Sequence, residues 1–133
     1  MNKEEEIQDK FYFYQILKSQ EEHLEEQINS LGDSLGEIFL SENCLEEIKK
    51  QKKDIFPSLG NGIFLIGEKA LVEIGAGVFV KKSLEDAEEI LKKRKESIEK
   101  SMQEMSNTLL KIKKKISELE EVLEREINQS KYK

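Results

Sequence analysis

A repeat of apolar residues every seven positions runs through the last third of the chain and constrains its fold most strongly. One series is Leu91, Ile98, Met105, Ile112 and Leu119. The other is Met102, Leu109, Ile116 and Leu123. The two series interleave at steps of three and four, which is the heptad pattern of a helix that supercoils against a partner helix. Residues 84–130 contain neither Gly nor Pro, so the pattern predicts one long helix there.

The start of this helix carries its own signal. Ser83 precedes the heptads and Asp86 follows three positions later, an arrangement similar to a capping box in which Asp replaces the usual Glu or Gln. Acidic residues on the first turns also suit the positive end of the helix dipole. We therefore predict that the helix begins directly after Ser83.

Residues 3–52 show the same repeat with two polar interruptions and predict a first long helix. One series is Leu17, Leu24, Leu31, Ile38 and Leu45, and the other is Ile7, Tyr14, Glu21, Ile28, Leu35 and Glu42. Gly32 and Gly36 lie inside this segment and cost about 1 kcal/mol each relative to Ala, which predicts a local soft spot. Folded back antiparallel on each other, the two helices bury both stripes.

Residues 54–82 separate the helices and contain the only Pro and five of the seven Gly. Short runs rich in Ile, Val, Phe and Leu predict strands at residues 54–58, 62–66, 70–74 and 78–82. Gly-containing turns at 59–61, 67–69 and 75–77 supply the positive φ that hairpins need. The sequence thus predicts two consecutive β-hairpins between two helices.

These hairpins carry more apolar surface than one small chain can cover. A lone hairpin is marginal in water, and residues 63–66 form a continuous apolar run that needs cover on both faces. We expect the hairpins to assemble with those of other subunits into a shared barrel or sheet. The expected oligomerisation residues are Ile55, Phe56, Ile63, Phe64, Leu65, Ile66, Leu71, Val72, Ile74, Val78, Phe79 and Val80.

The composition of the chain indicates which classes of binding partner and which cellular compartment are expected. The net charge of −6 argues against nucleic acid, whose binding relies on clustered Lys and Arg; the basic run 111–115 is typical of a solvated coiled-coil face. Cys44 is the only cysteine, which fits a reducing compartment. Residues 1–8 do not resemble a signal peptide, and no apolar stretch approaches the roughly 20 residues of a membrane span. A soluble, cytoplasmic protein without a membrane or nucleic-acid partner is expected.

The sequence contains no recognisable catalytic, metal-binding or phosphate-binding motif. His23 is the only histidine and has no partners from which to build a metal site or a triad. Residues 75–77 form a Gly-Ala-Gly run that lacks the Lys-Ser/Thr sequel of a phosphate loop. Adjacent Glu pairs point to different sides of a helix. We therefore expect a protein that is not an enzyme and uses no cofactor or metal.

The middle of the chain resembles the alpha-class subunits of prefoldin. Residues 55–62, Ile-Phe-Pro-Ser-Leu-Gly-Asn-Gly, look like the family's first strand and turn. Residues 72–82 are similar to its glycine-alanine-glycine hairpin, and 83–91 to its helix entry. Two hairpins rather than one mark the alpha class. The link around 67–70 is shorter than usual, and the first turn has Leu-Gly-Asn-Gly where the family often has Gly-Ala-Gly.

The resemblance implies a mainly α fold with a small β part. A long antiparallel two-helix coiled coil is joined by two β-hairpins that assemble into an intersubunit β-barrel, with residues 1–133 forming one domain. It implies a hexamer of two alpha and four beta subunits, whose helix tips hold unfolded client proteins and pass them to a group II chaperonin without nucleotide. A structural coiled-coil scaffold, or a homo-oligomeric or filamentous assembly, is the alternative.

If the hairpins form the base of such an assembly, the beginning of the first helix and the end of the last are its tips. Four consecutive aromatics cannot all face one helix seam, because a helix turns about 100° per residue. The candidate client-binding residues are Phe11, Tyr12, Phe13, Tyr14, Ile16, Ile127 and Tyr132. Phe11 and Tyr14 also fit the seam, so packing is an open alternative for them, and Tyr12 and Phe13 are the stronger client-binding candidates.

Overall fold

The computed structural model describes residues 2–51, 58–66 and 69–131, and within these ranges it contains two long helices and four short strands. The elements in chain order are α1 Lys3–Gln51, β1 Ser58–Gly60, β2 Ile63–Ile66, β3 Lys69–Gly75, β4 Val78–Ser83 and α2 Leu84–Lys131. The mainly α class with a small antiparallel sheet between two long helices is confirmed.

Both helices begin at side chains that cap free backbone N–H groups. The Asn2 side-chain oxygen accepts a hydrogen bond from the Glu5 backbone N–H at 2.9 Å. The Ser83 hydroxyl oxygen accepts one from the Asp86 N–H at 3.1 Å. Each bond satisfies a donor that has no partner within its helix. The predicted cap at Ser83 is confirmed, and α2 begins at the next residue.

The chain divides into two compact units. The first, the helical unit, comprises the described part of residues 1–30 and 102–133. It holds the beginning of α1 and the end of α2, which lie antiparallel: Lys10 contacts Glu126, and Lys113 lies 3.3 Å from Glu25. Leu17, Ile116 and Leu123 are its buried apolar residues among those described.

The second unit, the sheet unit, spans residues 31–101 and holds the larger core. Its buried apolar residues, among those described, come from both helices and from one face of the sheet, namely Ile38, Leu45, Ile63, Ala70, Val72, Ala87 and Leu91. Partly buried apolar residues complete it, namely Ile48, Leu84, Ile90 and Ile98. The core therefore joins the helix seam to the sheet.

The predicted heptad seams coincide with the residues that are withdrawn from water. Every position of the four series is buried or half-buried, including the two glutamates. Glu42 accepts a hydrogen bond at 3.2 Å from Lys95 of α2, which offsets the cost of a charge at the seam. Gly36 is exposed, and a Cβ there would meet no atom within 4 Å beyond its chain neighbours and the backbone of its own helix. α1 continues through both glycines as one helix.

The four strands form one antiparallel sheet in the order β1-β2-β3-β4. The predicted hairpins are both present, but β2 also pairs with β3, from Ile63 opposite Val72 to Ile66 opposite Lys69. The hairpins are therefore consecutive parts of a single meander. Of the predicted first strand, residues 54–57 lie outside the described ranges.

Both hairpin turns differ in position from the prediction. Gly62, which was expected to begin a strand, instead forms a two-residue turn with Asn61, with φ values of 71° and 55°. Ala76 and Gly77 form the second turn with φ values of 48° and 76°, while Gly75 ends β3. Two consecutive positive φ values characterise the type I′ turn, whose twist matches that of the strands.

Arg94 of α2 forms hydrogen bonds with two parts of the sheet, the first turn and β3. Its guanidinium donates hydrogen bonds to the backbone carbonyls of Asn61, at 2.7 Å, and Glu73, at 3.2 Å. The Asn61 side-chain amide in turn donates to the hydroxyl of Ser41 on α1 at 2.9 Å. The Ser41 hydroxyl donates to the Glu37 carbonyl at 3.1 Å. The first turn is thereby held between both helices.

We expect Arg94→Met to loosen the sheet while the helices stay folded. The substitution keeps a long apolar side chain but removes two charge-assisted hydrogen bonds, which lowers the local opening free energy by about 2 kcal/mol. Hydrogen exchange of the amides in β2 and β3 measures this opening. Lys93→Met, at an exposed neighbouring position, is the control. Equal exchange in the two variants would contradict the role of Arg94.

We expect Leu91→Ala to lower the free energy of unfolding by about 3 kcal/mol, because it leaves a cavity where helix and sheet meet. Leu110→Ala, at a residue that is 67% exposed, should change it by less than about 0.5 kcal/mol. Urea denaturation followed by circular dichroism measures both. Comparable losses in the two variants would show that the core does not lie at Leu91.

Candidate interaction surfaces

The beginning of α1 exposes a cluster of large apolar side chains. Phe11, Tyr12, Phe13 and Ile16 are each exposed, and Tyr12 reaches 67%. We call these four residues the aromatic patch. At 3.6 residues per turn, they spread over roughly 200° of the helix circumference. One neighbouring helix cannot cover so wide an arc, so the patch faces solvent in this unit.

Tyr14 lies in the same stretch but turns toward α2. Its side chain is half-buried, and its hydroxyl donates a hydrogen bond to the Glu120 carboxylate at 2.9 Å. Its ring stacks on Phe11, with centroids 6.3 Å apart. The bond to Glu120, followed by burial and the Glu120 charge, raises the pKa of the Tyr14 phenol above 10.0. Tyr14 thus occupies its seam position, while Phe11 is half exposed.

Polar contacts accompany the apolar seam in the helical unit. The Lys10 ammonium contacts Glu126, and Lys113 pairs with Glu25 at 3.3 Å. Together with the Tyr14–Glu120 bond, these contacts fix the antiparallel register of the two helices. Ile127, another predicted client-binding residue, is 44% exposed on α2. Tyr132 lies outside the described residues.

The sheet presents a second apolar surface on the face turned away from the core. Phe64 and Phe79 are exposed there and meet edge to face, with ring centroids 5.8 Å apart. Leu71 is half-buried between their strands. We call these three residues the outer sheet face.

The remaining predicted oligomerisation residues fall into distinct places. Ile63 and Val72 are fully buried in the chain's own core, because they lie in register on the face that the helices cover. Val80, opposite Val72, is half-buried, whereas Ile74 and Val78 are more than half exposed. The structure does not describe the side-chain environment of the other four residues. Leu65 and Ile66 belong to β2, and Ile55 and Phe56 lie outside the described ranges.

The described part of the chain offers little for metal chemistry or membrane insertion. No group of three or more His, Cys, Asp or Glu side chains within it could hold a metal ion. Cys44 and His23 are both exposed. Among the described residues, neither long helix has a stretch apolar enough to cross a bilayer.

The sequence patterns do not predict several exposed residues or several residues that connect distant elements. Phe39, Leu40 and Leu110 are apolar and exposed on the helices, and their positions outside both heptad series were a usable signal. Arg94 and Ser41 connect elements that are distant in sequence, and no local pattern marks such pairs.

Comparison with known proteins places this architecture in a family. The family model described as "Prefoldin subunit" matches residues 17–129, which include most of both helices and the whole sheet. The chain belongs to the prefoldin family. The resemblance to prefoldin read from the hairpin and helix-entry residues is therefore confirmed.

Curated prefoldin relatives agree with the alpha class. Prefoldin subunit alpha of Pyrococcus horikoshii is 28% identical over 81% of this chain and 78% of its own length. Prefoldin subunit alpha 1 of Methanocaldococcus jannaschii is 28% identical over 97% of this chain and 93% of its own. Prefoldin subunit alpha of Thermofilum pendens is 30% identical over 80% and 88%. Alignments of this length include helices and sheet together.

The contact between Tyr14 and Glu120 predicts a shifted phenol titration. A raised folded-state pKa means that the bond stabilises the fold fully below pH 10.0 and is lost as pH rises through the folded pKa. Ultraviolet absorbance titration, in a Tyr12→Phe and Tyr132→Phe background, follows Tyr14 alone. Glu120→Ala should lower its midpoint toward 10.0, and the exposed neighbour Glu121→Ala should not. A midpoint that is the same in all three proteins would contradict the contact.

Proposed function

We propose that the chain is a prefoldin alpha subunit, an ATP-independent molecular chaperone that binds non-native proteins. The aromatic patch is the observation that carries this proposal. Family membership supports the chaperone class, and the patch supplies a surface suited to unfolded chains. Clients held there would then be delivered to a group II chaperonin.

The aromatic patch has the chemistry that binding of unfolded protein requires. Unfolded segments share exposed apolar side chains rather than a common sequence, and burial of apolar surface is worth about 25 cal/mol per Å² without directional demands. Exposed aromatic clusters of this kind mark interaction sites. Ile127, on the neighbouring end of α2, offers further apolar surface. Phe13 and Tyr12 carry the largest share because Tyr14 is engaged with Glu120.

Assembly with other prefoldin subunits would complete the protein. Phe64 and Phe79 of the outer sheet face, together with Ile74 and Val78, are apolar and exposed. Strands β1 and β4 lie at the sheet edges, where they can accept further strands. We propose that the single domain 1–133 joins beta-class subunits in a cytoplasmic hexamer of two alpha and four beta chains. Several helix pairs then hold one client together, which multiplies weak individual contacts.

A homo-oligomeric scaffold is the second candidate. It is favoured by the same strand edges, since backbone hydrogen bonds at β1 and β4 can pair with a second copy as readily as with a different subunit. A scaffold has no need of the exposed aromatic patch. Activity toward unfolded protein therefore separates the two functions.

Suppression of aggregation tests the chaperone function. The assembled complex is mixed with a chemically denatured protein and light scattering is followed. We expect the unaltered complex to suppress scattering, and Tyr12→Ser with Phe13→Ser to weaken client binding about tenfold because apolar contact area is lost. Leu110→Ser, which removes an exposed apolar residue elsewhere on the helices, should have no effect.

Two results would contradict the proposal. An intact complex that does not suppress aggregation is not a chaperone of this kind. Loss of assembly in the Tyr12→Ser and Phe13→Ser protein, detected by its mass in solution, would show that the patch is structural rather than a client-binding surface.

A further inference from the structure

The sheet unit exposes two apolar residues that neither its core nor the proposed function uses. Phe39 and Leu40 of α1 are 59% and 68% exposed. They lie outside both heptad series and are separated from the aromatic patch by more than twenty positions of sequence. Exposed neighbouring apolar side chains on an otherwise charged helix mark a candidate contact surface.

Phe39 borders an open groove of about 380 Å³ between the end of α1 and the beginning of α2. All of its lining residues belong to the sheet unit. Besides Phe39, they are Glu42, Asn43, Glu46, Glu85, Glu88, Glu89, Lys92 and Lys95. We call this feature the acidic groove, since carboxylates outnumber ammonium groups in its lining.

Some of these charges are already paired. Glu42 pairs with Lys95 at 3.2 Å, and Lys49 contacts both Glu88, at 3.0 Å, and Glu85, at 3.8 Å. A hydrogen bond from Lys49 to Glu88, together with the nearby charges, raises the pKa of the Lys49 ammonium. Lys49 therefore interacts with Glu85, Glu88 and Glu46. With Lys49 counted, five carboxylates of the groove face three ammonium groups, so the groove keeps an excess of negative charge.

Two carboxylates of the groove remain accessible to a partner, and one of them, Glu46, also interacts with the charge of Lys49. Glu46 and Glu89 are exposed, and neither forms an ion pair with a described residue. They stand on different helices, Glu46 on α1 and Glu89 on α2. A cationic ligand that lies along the groove could therefore contact both helices at once.

We propose that the acidic groove docks a cationic amphipathic segment of a partner protein. Lys or Arg side chains of that segment pair with Glu46 and Glu89, and its apolar residue covers Phe39. The charge of the groove selects this chemistry, because an anionic or purely apolar segment would leave the carboxylates desolvated and unpaired. An Arg could also stack on the exposed Phe39 ring.

A labelled peptide tests the groove on the full chain in the oligomeric form in which it purifies. The probe is a short fluorescein-labelled peptide with lysines flanking a Leu-Phe pair, and its binding is followed by fluorescence anisotropy. Glu46→Gln with Glu89→Gln should weaken binding about fivefold through loss of two exposed ion pairs. Phe39→Ser should weaken it to a similar degree, and raised salt should weaken binding to the reference protein, whose groove is unaltered.

Matched variants make the result specific. Glu96→Gln with Glu99→Gln neutralises two exposed carboxylates of α2 outside the groove, and Leu110→Ser removes an exposed apolar residue outside it. Both should leave peptide binding unchanged. Every protein in this series, the reference included, also carries Tyr12→Ser and Phe13→Ser, so that the aromatic patch does not bind the probe. A second peptide, with Glu in place of each Lys, should not bind.

Four outcomes would overturn the proposal. They are failure of the lysine peptide to bind, equal binding of the glutamate peptide, equal weakening by the control variants, and a changed oligomeric mass in Glu46→Gln with Glu89→Gln. The last would mean that a neighbouring subunit or a second copy covers the groove. None of these results bears on client binding at the aromatic patch, which the aggregation assay tests separately.

Discussion

A pair of helices can cover only one face of a sheet, and this limit governs the sheet unit. Ile63, Ala70 and Val72 fill the covered face and pack with Leu45 and Leu91 of the helices. Side chains alternate between faces along a strand, so the same strands necessarily turn Phe64 and Phe79 outward. The face of the sheet that meets the helix seam is buried, whereas the opposite face exposes apolar side chains to solvent. We propose that assembly with other subunits covers the outer sheet face.

The residues of the helix seam differ in chemistry between the sheet unit and the helical unit. In the sheet unit it is apolar and continuous with the core, through Ile38, Leu45 and Leu91. In the helical unit its apolar residues are joined by polar contacts, such as the hydrogen bond from Tyr14 to Glu120. Polar contacts fix the register of two helices while using little apolar surface. The neighbouring aromatic residues are left uncovered, which suits the client binding that we propose.

Periodic features of the fold could be predicted from the sequence, whereas features that depend on distant contacts could not. The heptads located every seam position, including Glu42, and Ser83 marked the start of α2. The first turn lies at the Asn61-Gly62 pair rather than at residues 59–61, because Asn-Gly is the stronger local signal for a two-residue turn. Arg94 bonds to carbonyls 33 and 21 residues away, and no spacing rule encodes such contacts. Which strand residues face the core and which face outward depends on the register of β2 on β3, and the sequence alone does not give that register.

The chain thus carries surfaces of different chemistry: an aromatic patch, an apolar outer sheet face and an acidic groove beside Phe39. We propose that the outer sheet face requires other chains to cover it. Native mass spectrometry of the chain, alone and mixed with a beta-class prefoldin subunit, tests it most directly. A defined hetero-oligomer that forms on mixing is the expected result. A folded monomer that persists alone and in the mixture would contradict the claim.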